Sequence, residues 1–141
     1  MTAADLAASS AADLTDTIEQ LHGLSCAATC QMLGVIAEYD RRGAWEQDGC
    51  GSMADWVGAR LGTTRAHATE MVAVAGALED LPVLAETFAL GLIGWDKLVV
   101  AVELADNDTD ARVAADAREF SVADLGHMVR TRRPISSGDA A

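Results

Sequence analysis

His22, Cys26 and Cys30 recur at steps of four, the spacing that would align donors along one stripe of an unbroken helix, and Cys50 could complete a zinc-binding set. Structural zinc sites favour closer cysteine pairs, however, and Gly23 followed by Ser25 predicts a helix break between His22 and Cys26. The thiols are therefore read as small core residues, with no metal and no cofactor. The run Gly23-Leu24-Ser25-Cys26-Ala27 misses the last glycine of a nucleophile elbow and follows no strand. Gly91-Leu92-Ile93-Gly94 lacks the lysine and hydroxyl of a phosphate loop. Both are turns.

Base-reading is the chemistry the spacing suits best. A short helix Met53–Leu61, a turn at Gly62-Thr63 and a second helix Thr64–Leu78 have the lengths of a helix-turn-helix. Gly58 is small where the two helices would cross, and Gly62 can take a left-handed turn. Val57, Leu61, Ala68 and Met71 would share a core. Arg65, His67, Thr69 and Glu70 would then face outward at the start of the second helix, where base edges are read, and Arg60 could hold a phosphate. Arg130, Arg132 and Arg133 would add sequence-independent attraction. Yet residues 52–72 contain two arginines and two acids, a weak charge for tracking phosphates, and the same geometry also serves as plain bundle packing. Trp45, Trp56 and Trp95 could be partner-binding anchors; as core rings, each would place its indole N–H on a carbonyl.

The elements that must carry these residues are all helical. Residues 1–13 are expected to be a flexible acidic tail, 14–133 one helical domain and 134–141 a disordered tail. A short helix is predicted over Leu14–His22, stopping at Gly23, and another from a Ser25 cap to Arg42, ended by Gly43. The second carries Cys26, Cys30, Leu33, Ile36 and Ala37 on one side and Met32, Val35 and Tyr39 on another, which predicts a central place in the bundle. Ser52 with Asp55 and Ser121 with Asp124 have the spacing of capping boxes. Further helices are predicted from Pro82 to near Gly91 and over Trp95–Ala105, Thr109–Glu119 and Ser121–Thr131. No alternating strand pattern occurs. The fold class is all-α: one irregular bundle of seven or eight helices containing a possible helix-turn-helix.

Composition agrees and narrows the partners. Half the residues are hydrophobic but only 4% are aromatic, so the core is built from Ala, Leu, Val and Met. Lys+Arg is 10 against Asp+Glu 22, a formal charge of −12, which opposes a general nucleic-acid coat or an anionic-membrane binder. Only the last fifteen residues are net basic, at +2. An odd number of cysteines, no basic leader and no long apolar run predict a cytoplasmic protein without a membrane span.

The block from Ile36 to Gly62 (Asp40-Arg41-Arg42-Gly43-Ala44-Trp45, Ser52 with Trp56, Arg60-Leu61-Gly62), with Gly94-Trp95 and the stretch Ser121–Arg133, resembles a helical domain of unknown function. That domain is found in bacterial proteins carrying a C-terminal HNH nuclease domain. The resemblance runs from about Leu14 to Arg133 and implies a short or truncated member, with a role in DNA transactions or mobile elements. An HNH site needs clustered His and Asn on a metal; here the three histidines are scattered and Asn107 is the only asparagine. The chain is therefore expected not to be an enzyme. Two functions follow as expectations. One is a non-catalytic helical module of an HNH-endonuclease-like protein, binding DNA (weakly alone) or assisting the nuclease. The other is an acidic module that docks on a protein partner or on itself.

Overall fold

Side-chain hydroxyls start most of the helices. Thr2 accepts from the Asp5 amide while Asp5 bonds back to Thr2, and Ser10, Ser52, Thr64 and Ser121 each accept from the amide three residues on. The computed structural model describes the backbone of residues 1–140 and the side chains of residues 1–132. The helices are α1 (Ala3–Ala8), α2 (Ala11–Arg42), α3 (Met53–Leu61), α4 (Arg65–Leu78), α5 (Pro82–Ala89), α6 (Trp95–Leu104), α7 (Asp110–Glu119) and α8 (Val122–Ala140). A single 3-10 turn, Ala44–Glu46, follows α2. No strand occurs among the described residues. The side chain of Arg133 and those of the tail expected from 134 lie outside them.

Eight α-helices match the expected number, but not the same eight. The predicted stop at Gly23 is absent: α2 runs unbroken for 32 residues, and the expected tail contributes α1 and the start of α2. One glycine inside a helix costs about 1 kcal/mol, which its flanking turns can offset. Gly23 has a packing role instead. The loop after α5 turns at Gly91 (φ +75), and a Cβ there would sit 2.9 Å from the Gly23 Cα. The missing Cβ of Gly91 lets that loop pass against the helix backbone at Gly23, whose own Cβ position is open.

The core lies between α2 and α4–α5, with α3 closing on α4, and α6–α8 covering the far side. Cys26, Leu33, Ile36 and Ala37 of α2 are buried in it with Val57, Ala68, Val74, Leu84, Phe88, Leu98, Ala117 and Leu125. The second apolar side of α2 is only partly covered: Met32 and Tyr39 are half-buried against the core, as the predicted central position requires, but Val35 is 64% exposed. The buried carboxylate of Asp110, the first residue of α7, accepts from the Val83 and Leu84 amides, both at 2.8 Å. Leu81 at the N-cap of α5 has no oxygen to offer and Pro82 has no N–H, so Asp110 caps α5 from another helix.

Candidate functional site

The helix-turn-helix segment forms as its sequence suggests. Gly62 ends α3 in the left-handed region (φ 66, ψ 36), and Thr64 caps α4 through the His67 amide at 3.1 Å. A Cβ at Gly58 would meet the Thr63 carbonyl at 3.6 Å and the Ala68 Cβ at 3.8 Å, so the helices cross closely there. Val57, Ala68 and Met71 are buried in the shared core. Leu61, placed in that core by its spacing, is instead 49% exposed, because it stands at the last turn of α3 where the chain leaves the contact.

Arg65, His67 and Thr69 are all exposed on α4, Arg65 to 81% of its side chain. Each cation of this head has an acidic neighbour. Arg65 lies 3.4 Å from Asp55, Arg60 is 3.6 Å from Asp48, and the His67 ring is 3.9 Å from Glu70. The Arg60 guanidinium also stands over the Trp56 ring, 5.2 Å from its centre. The far basic group is elsewhere. Arg132 donates to the Leu104 carbonyl and lies 3.8 Å from Asp106, and Arg130 lies along Gly126 on α8.

The sequence predicts indole N–H groups on carbonyls; all three bond to carboxylates. Trp45 donates to Asp40 at 3.2 Å, Trp56 to Asp48 at 2.8 Å and Trp95 to Glu70 at 2.9 Å. Each ring is half-buried, so its N–H edge reaches the surface, where acids abound. Asp48 is the hub of the largest cluster. It accepts from Trp56 and from the Tyr39 hydroxyl at 2.9 Å, and those two rings stack 4.6 Å apart. The Trp56 and Tyr39 hydrogen bonds, then Arg60, hold its carboxyl below the usual range, while Asp48 pushes the Tyr39 phenol up. The sequence marks Tyr39 only as part of an apolar side of its helix and Asp48 only as a turn residue. The turn-rich run from Gly43 to Gly51 beside Trp45 marks the loop but not its hydrogen bonds.

With Gly23 inside the helix, His22 and Cys26 do meet, Nε2 to Sγ at 3.6 Å. Cys30 diverges and donates to the Ala85 carbonyl. Among the described residues no three His, Cys, Asp or Glu side chains are grouped to hold a metal ion. His22 and Cys26 open instead into a cavity of about 400 Å³ between α2, α4, α5 and α6, floored by Met32, Met71, Phe88 and Trp95. Burial pushes both thiols, Cys26 and Cys30, above the ordinary range, the opposite of an activated nucleophile.

These features define an all-α domain in which α3 and α4 are joined by a tight turn beside a tryptophan–carboxylate cluster, with no helix among the described residues long and apolar enough to cross a membrane. The family model for a domain of unknown function, DUF222, matches residues 11–136, and the chain belongs to that family. No curated protein and no solved structure matches it.

Proposed function

We propose that the chain is a non-catalytic helical module that assists an HNH-type endonuclease through protein contact. The observation that carries this reading is the pairing of Arg60 and Arg65 with Asp48 and Asp55, with the Glu70 carboxylate beside His67, which leaves the would-be reading head without a free arginine. A duplex-reading surface needs free cations for phosphate, and a molecule of −12 repels the backbone beyond that. The link to a nuclease rests on the sequence resemblance. No catalytic role falls to His22 and Cys26, since the thiol is buried and kept protonated.

Direct DNA contact is the second reading, favoured by one feature: Arg65, at the capped start of α4, is 81% exposed and its pair with Asp55 is a surface one of the kind worth about 0–1 kcal/mol. Fluorescence anisotropy with random duplexes at two salt concentrations separates the two. Protein contact predicts duplex binding no tighter than about 1 μM and steeply lost with salt, together with co-elution with an HNH nuclease domain supplied in trans. Sub-micromolar duplex binding whose sequence preference changes in Arg65→Ala would replace it with direct reading. Loss of Arg130, Arg132 and Arg133 would then lower affinity evenly across sequences.

A further inference from the structure

We infer that two copies of this chain pair through the uncovered face of α2, antiparallel, as a two-stranded coiled coil. The inference goes beyond the proposed function and does not rest on it. Leu14, Ile18, Leu21, Ser25, Ala28, Met32, Val35 and Tyr39 follow one another at alternating steps of four and three, the heptad seam of a coiled coil. The pattern is sustained over about three and a half heptads, about 38 Å of helix. The fold uses it only toward its far end, where Met32 and Tyr39 are half-buried against the core. Cys26, Leu33, Ile36 and Ala37 bury a different side of α2, and none of the eight seam residues is buried. Ile18 is 68% and Leu21 57% exposed, and no residue before Cys26 is buried at all. Before His22, where the loop after α5 first meets the helix, α2 is thus an arm whose apolar stripe keeps Ile18 and Leu21 exposed, although helices this short are marginal without packing.

Two features select a second copy as the occupant. The first is the flanks of the seam, Thr15, Thr17, His22, Leu24, Thr29 and Gln31, which carry no fixed charge until Glu38. Flanking charges normally choose a different partner or exclude an identical one, and here they do neither. The second is the order of side-chain sizes. Paired antiparallel about the point between Ser25 and Ala28, Leu14 meets Tyr39 of the second copy, Ile18 meets Val35, Leu21 meets Met32, and the small Ser25 and Ala28 meet at the crossing. Large residues fall on large ones at both ends and small on small in the middle.

Charge sets the orientation. The arm contains Asp13, Asp16 and Glu19, and the chain has no Lys or Arg before Arg41. A parallel pair would lay two acidic arms side by side; the antiparallel pair brings each arm instead to the end of the other where Glu38 and Asp40 are balanced by Arg41 and Arg42, which pair with Glu38 and Glu79 of their own chain, and opposes the two helix dipoles. The receiving end is shaped for it. Met32, Val35 and Tyr39 adjoin Trp56 and the half-exposed Leu61 around an apolar cleft of about 170 Å³, where the Leu14–Leu21 stripe of the second copy would lie.

Sedimentation velocity across a dilution series is the test, with circular dichroism to confirm that each variant is folded. The parent is expected to sediment as a dimer at about 50 μM and dissociate on dilution, as a micromolar complex does. Ile18→Asp with Leu21→Asp should be monomeric at the same concentration with unchanged helicity, because neither side chain is in the core. Oxidative cross-linking of a mixture of Ile18→Cys and Val35→Cys chains, mapped by mass spectrometry, should give the 18–35 bond between copies. A monomeric parent at that concentration, a dimer that survives the double aspartate variant, or an 18–18 cross-link in place of 18–35 would each overturn the proposal. Co-elution with a nuclease domain stands or falls separately.

Discussion

Asp110→Ala should destabilise the fold more than any other single change to a polar side chain. One carboxylate satisfies the Val83 and Leu84 amides at 2.8 Å, and the helix it caps has no capping oxygen of its own. A hydrogen bond to a charged group contributes about 1.5–3 kcal/mol, and a buried donor left alone costs a similar amount. The Leu84 bond is fully buried and counts in full; the Val83 bond is part-buried, so water can replace some of it. Because both share one carboxylate their losses do not simply add, and about 3–4 kcal/mol is expected for Ala. Asn keeps one acceptor oxygen but turns its N–H₂ toward the other donor, so Asp110→Asn should cost about half as much. Urea unfolding followed by circular dichroism reads this directly: the midpoint should fall by roughly 2 M for Ala with the slope unchanged, and Tm by about 10 °C. If Asp110→Ala stays within about 0.5 kcal/mol of the parent, the cap between helices is not an energetic feature of this fold.

Gly23→Ala, Gly34→Ala and Gly76→Ala should each stabilise by up to about 1 kcal/mol, since a Cβ meets nothing within 4 Å at any of them, whereas Gly91→Ala should unfold at clearly lower urea. Trp56→Ala should cost about 2–3 kcal/mol by the same assay, less than for a fully buried ring, and a melting temperature equal to the parent's would show that the Asp48 cluster braces nothing. The lowered carboxyl of Asp48 contributes stability at pH values above the ordinary carboxylate range, lost as pH falls through its folded value. An acid titration of tryptophan fluorescence should therefore show a step below about pH 4 that is missing in Asp48→Asn.

What the sequence made legible was local. Ser52, Thr64 and Ser121 announce their helices because a hydroxyl bonds to an amide three residues away, within one turn. Gly43 and Gly62 end theirs because positive φ suits glycine and little else. Gly23 is the same residue, but it does not take a positive φ and its helix continues through it, packed against Gly91 from 68 positions along the chain, a contact no local pattern announces. Asp110 reads as an ordinary acid in a first turn for the same reason: the amides it serves are 26 and 27 residues earlier. The candidate head shows both sides. Its two helices and turn were readable from caps and spacing, but the neutralising acids Asp48 and Asp55 become partners of Arg60 and Arg65 only once loop and helix are folded together.

The apolar pattern of α2 has the same lesson in a sharper form. Periodicity shows that a helix has two apolar sides, and the usual inference is that both are buried in one core. Burial needs neighbours, and this chain supplies them fully to one side only: α4 and α5 cover the stripe from Cys26 to Ala37, Met32 and Tyr39 on the other are half-buried, and Ile18, Leu21, Leu24 and Val35 remain at the surface. A 32-residue helix extends about 48 Å, longer than a domain of this size can wrap. The unwrapped part keeps its heptad spacing nonetheless, a pattern that the fold of a single chain does not require.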